Sequence, residues 1–366
     1  MSMTDYKKNP FIKSAPLPVD IVFHPSWWFK HTGICFDEDF FYHPLRRVEV
    51  EKQMEYELYE RFGRFGLGAD KGKDLPIIGA VHIAAGYILS EMLGCNVIYQ
   101  QDSAPQVIPL AQDQLKIHVE EAFKSPAFRR FSGLQEKLKA KYGYVTGDIG
   151  WGGVLNTALD LVGEKVFTDF FMEPEEMKKQ FIELSYLIEK FVEGFSKETG
   201  TSSISINRNV RNIEKPVFLH SECSHTMIST GQYEEFLLPI DIQWSEKYRP
   251  FGIHYCGNDP HRHAEAFAKI KNLDFLDVGW GGDVKVLRKY LPNTFLNIRL
   301  NPVTINDCTD SELEITITRL VENSDNPYLT GVCCINMDDK VEDSKIHIIF
   351  KTVENLRQRY QELCKN

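Results

Sequence analysis

The sequence predicts an α/β protein folded as a single (β/α)8 TIM barrel with an N-terminal extension, and three observations carry that reading. In the second half of the chain, short apolar runs alternate with helical segments: PVFLHSE before TGQYEEFLLPIDIQWSEKY, FGIHYCG before PHRHAEAFAKIK, LDFLDVG before DVKVLRKYL, TFLNIRL before DSELEITITRLVEN, and LTGVCCIN before DSKIHIIFKTVENLRQRYQELCK. This is the rhythm of parallel strands joined by helical crossovers. About eight strands can be placed, near Val19, Val97, Tyr144, Ser203 or Pro216, Phe251, Leu273, Thr294 and Leu329, and eight is the number that closes such a barrel. No G-x-G-x-x-G turn is present, as the first βα turn of a doubly wound dinucleotide fold would normally carry.

In chain order, residues 1–18 are polar and punctuated by proline, and read as an arm ahead of a barrel over 19–366. VDIVFHP is the first strand, closed by Pro25, and an aromatic loop runs from Ser26 to Pro44. A helix from about Arg46 to Phe62 follows, rich in helix formers and in opposite charges at helical spacing. IIGAVHIAAGYILSEML reads as a helix, NVIYQQ as a strand, and PLAQDQLKIHVEEAF with SPAFRRFSGLQEKLKAKYG as two helices. YVTGDIG is a short strand entering a glycine-bounded turn, and GGVLNTALDLVG is a helix. The long helix EPEEMKKQFIELSYLIEKFVEGFSKETG opens on a glutamate-rich turn and stops at Gly200, as the helix dipole and the C-cap preference favour.

Composition narrows the function. With 43% hydrophobic and 26% charged residues among 366, the chain is ordinary globular material able to bury a large core. Its net charge of −10 argues against a broad nucleic-acid groove. No apolar stretch approaches the ~18 residues that suggest a membrane span, and the N-terminus has no signal-like apolar region. A cytoplasmic location with reduced thiols follows as an expectation. Eight cysteines scattered through so long a chain are then better read as ligands, nucleophiles or buried thiols than as crosslinks.

Active sites of barrels lie at the C-terminal ends of the strands. Screening those ends for chemistry returns His24, Asp148, His220, Glu222, Cys223, His254, Cys256, Asp277, Arg299, Cys333 and Cys334. The sharpest motif is IHYCGN. Strand residues two apart share a face at about 6 to 7 Å, which suits His254 and Cys256 to two corners of one metal tetrahedron. A third donor could come from GVCCIN, through Cys333 or Cys334, one of which must face inward and the other outward. Two thiolates and an imidazole with an open fourth position would make a catalytic zinc site. His220 suits general acid–base work, and Glu222 could accept a proton or act as a weak fourth ligand. Asp148 precedes a glycine-rich turn that could admit a large cofactor, although Asp before Gly is also ordinary turn chemistry. His261 and His263 are assigned to a surface or capping role beside Asp259 and Pro260. Trp27 and Trp28 could stack on a ligand but read more simply as core or lid packing.

Several segments carry a resemblance: FDEDFFYHPLRRVEVEKQMEYELYERFG, GGVLNTALDLVGEKVFTDFFMEPEEM, MISTGQYEEFLLPIDIQW, GIHYCGN with LDFLDVGW, and LNPVTI. From about Phe29 to Arg357 the chain resembles the uroporphyrinogen decarboxylase superfamily of (β/α)8 barrels, and more closely its zinc-dependent corrinoid methyltransferase branch. In that branch an H-x-C pair and a later cysteine hold zinc; the resemblance matches these to His254, Cys256 and Cys334, with Cys333 as the fallback. It implies a zinc-dependent methyltransferase moving a methyl group between a corrinoid (cobalamin) on a partner protein and a thiol or other small acceptor, and a homodimer. The decarboxylase branch carries an arginine-rich stretch for its polycarboxylate substrate, whereas HPSWWFKHTG here offers little charge beyond Lys30. A cofactor-free tetrapyrrole decarboxylase is thus the alternative activity, and a non-catalytic corrinoid- or metal-binding barrel a third.

Overall fold

The computed structural model describes residues 16–79, 86–148, 151–199 and 217–363. Ten strands are present among them: β1 Val19–Phe23, β2 Ile77–Gly79, β3 Asn96–Ile98, β4 Gln106–Ile108, β5 Thr146–Asp148, β6 Phe218–Glu222, β7 Phe251–Tyr255, β8 Leu273–Val278, β9 Phe295–Arg299 and β10 Thr330–Met337. Six form a curled parallel sheet in the order β1-β10-β9-β8-β7-β6, and β2 and β5 form a separate parallel pair. The last strand thus pairs with the first, as in a TIM-like fold. Among the described residues no ladder joins β1 to β2 or β5 to β6.

Helices cover the sheet, and β1, β6, β7, β8 and β9 are buried along their whole lengths. That is why they read as near-continuous apolar runs rather than alternating ones. The helix Pro174–Thr199 contributes Phe181, Leu184, Leu187, Ile188 and Phe191 to the core, each stabilising by roughly 1.5–3 kcal/mol on burial. No helix among the described residues is long and apolar enough to cross a membrane.

Four expectations need correction. The aromatic loop contains two helices, Pro25–Thr32 and Glu38–Tyr42. Pro25 does not merely end β1 but starts the first of these helices: the His24 side chain accepts from the Ser26 N–H at 3.1 Å, and Gly33 closes the helix at φ 72°. Trp27 and Trp28 are buried there, Trp27 packing on Phe23 with ring centroids 4.3 Å apart. The apolar run from Ile77 is not one helix: it begins as β2, Gly79 takes φ 92°, and among its described residues helix runs over Ile88–Met92. Short apolar runs do not distinguish strand from helix by periodicity. Helix at PLAQDQLKIHVEEAF shrinks to Val119–Ala122, because the Leu110 and Gln112 N–H groups donate to the Asp160 and Leu161 carbonyls of another helix. The strand at Val97 exists as β3, but it pairs antiparallel with β4 in a hairpin outside the main sheet. Ser203 and Pro216 lie outside the described residues, and β6 begins at Phe218.

Candidate metal centre

Two adjacent strands each open on Phe and are followed by Cys five residues on, in register, although their histidines are offset by one residue. FLHSEC ends in Cys223 and FGIHYC in Cys256. Phe218 pairs with Phe251 and Glu222 with Tyr255, so the two cysteines leave their strands side by side. His254 lies one residue inside the end of β7. Candidate donor atoms of Cys223, His254 and Cys256 all fall within 4.8 Å of one another, with His254 buried and both cysteines half-buried. Two sulfurs and an imidazole converging at strand ends match the donor set and incomplete shell of a catalytic zinc site.

Two charged groups stand behind the donors. Asp277 on β8 pairs in register with His254, and its Oδ2 lies 2.5 Å from His254 Nδ1. In the tautomer with Nδ1–H directed at this carboxylate, Nε2 is the nitrogen that would meet a metal, as in carboxylate–histidine–zinc triads; Arg299 Nη2 lies beside the ring, 2.8 Å from Nδ1 and 3.4 Å from Nε2. Arg299 on β9 donates from Nη2 to the same Asp277 oxygen at 2.7 Å and from Nη1 to Cys256 Sγ at 3.5 Å. Burial works against the Asp277 charge, but Arg299 and His254 outweigh it and hold the carboxyl below its ordinary value. Burial and Arg299 push His254 down, and Asp277 with Cys256 lifts it above the ordinary imidazole range. Donation from the Cys223 thiol, opposed by burial and aided by His254 and Arg299, pulls Cys256 far below an ordinary thiol. Cys223 is raised by the same interaction and by burial.

Cys334 is not part of this cluster. The inward-facing member of the β10 pair is Cys333, whose Sγ lies 3.7 Å from Asp277 Oδ1. Alternation then turns Cys334 to the opposite side of the sheet, where burial pushes its thiol up to about 12. Both cysteines also sit well inside β10 rather than at its C-terminal end, whereas Cys223 and Cys256 follow theirs directly. The matching spacing of FLHSEC and FGIHYC is a signal in the sequence that would have favoured Cys223.

His220 and Glu222 serve a different network. Glu222 accepts from the backbone N–H groups of Leu155 at 2.8 Å, Asn156 at 3.1 Å and Ser224 at 3.2 Å. It therefore caps the helix Val154–Val162 from β6, with both carboxylate oxygens accepting from backbone N–H groups. Gly153 is needed for this contact, since a Cβ there would lie 2.3 Å from Glu222 Oε2. His220 Nδ1 meets Asp241 Oδ1 at 2.6 Å, and Tyr233 donates to Asp241 Oδ2 at 2.7 Å. A wide helical turn at Tyr233–Leu237, ahead of Pro239, brings Tyr233 and Asp241 together. Asp148 ends β5 opposite Gly79; its side chain lies outside the described residues, as do the turn residues 149–150. His261 accepts from the Asp283 N–H at 3.2 Å, and His263 is wholly buried rather than on the surface.

Comparison with known proteins adds the fold. No protein-family model and no curated protein sequence matches the chain. Among solved structures, a methyltransferase from Methanosarcina mazei superposes with a TM-score of 0.62 at 13% identity, over 97% of this chain and 98% of that one. A B12-independent methionine synthase from Shewanella sp. W3-18-1, solved with selenomethionine, matches more distantly: TM-score 0.38 and 9% identity, over 75% and 76% of the two chains. The likeness to the Methanosarcina mazei methyltransferase is one of fold, and it spans nearly the full length of both chains.

Proposed function

We propose that this protein is a zinc-dependent methyltransferase with a closed (β/α)8 barrel, that Cys223, His254 and Cys256 hold the metal, and that it moves a methyl group between a corrinoid on a partner protein and a thiol or other small acceptor. The observation carrying this reading is the convergence of the three donors at the ends of β6 and β7 with Asp277 aligned behind the histidine. Full-length likeness to a methyltransferase supports the reaction class. Bound zinc would lower the pKa of an acceptor thiol so that it reacts as the anion. The chain's own contribution is to fix the His254 tautomer through Asp277, to supply two sulfur ligands, and to keep the donors largely out of water.

Zinc analysis of the purified protein tests this. Wild type is expected to hold stoichiometric zinc, Cys223→Ser and Cys256→Ser to lose it, and Cys334→Ser to keep it. Loss in Cys334→Ser with retention in Cys223→Ser would return the third ligand to β10. Methylcobalamin demethylation, followed by its absorbance change in the presence of thiols, tests the reaction; zinc without turnover on any acceptor would sink the methyl-transfer reading.

A further inference from the structure

We infer that Arg299 is a positioning residue of this centre, joining a metal donor and the carboxylate behind a second donor through one guanidinium. The inference rests on the metal reading of the site. Arg299 ends β9, is 3% exposed, and reaches past β8 toward β7. Its two terminal nitrogens go to different partners: Nη2 to Asp277 Oδ2 at 2.7 Å, where it also lies 2.8 Å from His254 Nδ1, and Nη1 to Cys256 Sγ at 3.5 Å. Asp277 in turn holds His254, so Cys256 and His254 are tied to the same group. Trp280, from the loop after β8, sets its ring 5.8 Å from the guanidinium carbon, within cation–π range. Gly279 allows that loop to approach, since a Cβ there would lie 1.7 Å from the Gly257 carbonyl oxygen.

Two consequences follow from this geometry. The Asp277 oxygen is pinned from two sides, which fixes the rotation of the His254 ring. A hydrogen bond to the Cys256 sulfur also draws electron density from that ligand. A zinc ion held by two thiolates would otherwise have its charge cancelled; donation from Arg299 leaves more of it for a bound acceptor. The planar fork is essential, because a lysine ammonium is a single point that cannot take up the same spaced pair.

The test uses the full-length protein and zinc itself, competed against a chromophoric chelator, with cobalt(II) substitution as a second readout. Arg299→Met and Arg299→Lys are both expected to weaken zinc by about 10- to 100-fold, the range for residues that support metal ligands. Both should also shift the sulfur-to-cobalt absorption band, which a role in stability alone would leave in place. Arg299→Lys retains the buried charge and serves if Arg299→Met does not fold. Wild type that binds zinc beside an Arg299→Lys protein within threefold of it, with an unmoved band, overturns the inference and leaves the metal reading standing. Wild type that binds no zinc overturns both.

Discussion

Two histidine–aspartate pairs sit on neighbouring strands, and their difference locates the chemistry. His220 on β6 meets Asp241 at 2.6 Å and His254 on β7 meets Asp277 at 2.5 Å, each through Nδ1 and each out of water. Around His220 the other side of the ring is closed by the protein: Nε2 lies 3.4 Å from the Val154 N–H and 3.5 Å from Glu222. Around His254 the neighbours are the sulfurs of Cys223 and Cys256 and the Arg299 guanidinium, whose Nη2 lies 3.4 Å from Nε2. The same pair of residue types thus makes a structural lock in one place and an aligned donor in the other. What distinguishes them is the set of groups facing Nε2, not burial or the carboxylate.

The largest expected effect breaks the comparison at its open member. His254→Ala should abolish stoichiometric zinc while the protein still folds, whereas His220→Ala should fold poorly and keep zinc in whatever fraction does fold. Metal content per folded molecule separates the two outcomes. Loss of zinc from folded His220→Ala would place both histidines in one site.

Next comes Glu222, the group that closes the other member. Glu222→Ala strands the N–H groups of Leu155 and Asn156 at the helix N-terminus, while the Ser224 N–H keeps Asn156 Oδ1 at 3.0 Å. At roughly 1–3 kcal/mol for each unmet group, partly relieved by relaxation, the cost should be about 4 kcal/mol. Urea unfolding measures it, and a loss below about 1 kcal/mol would mean that the cap is not holding the helix.

Protonation gives a third, somewhat smaller effect. Burial pushes His220 down, but Asp241 and Glu222 more than offset it and lift it from 6.5 to about 9. Tyr233 faces the same Asp241, while His225 and Trp151 pack near the ring without adding an anion. Because the folded value is raised, the contribution is fully present below about pH 6.5 and is lost as pH rises through 9. The shift corresponds to about 3 kcal/mol. Unfolding free energies across that window should fall in wild type and flatten in Asp241→Asn; an unchanged slope in the variant would assign the pH dependence elsewhere.

The sequence makes the large features legible because they rest on local rules. Parallel βα units announce themselves by apolar runs followed by helices, and β6 to β10 all lie where that rhythm puts them. His254 and Cys256 stand out because a two-residue spacing on a strand has one geometric meaning. What was not legible depended on contacts between distant segments. Glu222 reads as a free acid until the N-terminus of the helix Val154–Val162 is placed against it. Choosing between Cys223 and Cys334 required the register of β6 on β7 and the facing of β10, which a single strand does not reveal. In the first half, β2 was hidden because an apolar run entering a strand looks like one entering a helix.

The finest test changes only a carboxylate behind each histidine. Asp277→Asn preserves shape and can still accept from Nδ1 through its amide oxygen, but it removes the charge that polarises the ring and pairs with Arg299. Zinc affinity should fall by about 10- to 100-fold, equivalent to about 1.4 to 2.7 kcal/mol. Asp241→Asn makes the same chemical change at the closed pair and should leave zinc affinity within about threefold, because the ring it supports faces Glu222 and a backbone N–H rather than sulfur. Chelator competition on the two variants side by side reads the difference directly. Equal losses would mean that the carboxylates act on zinc only through the common rigidity of the sheet, and the contrast between an aligned donor and a structural lock would then collapse.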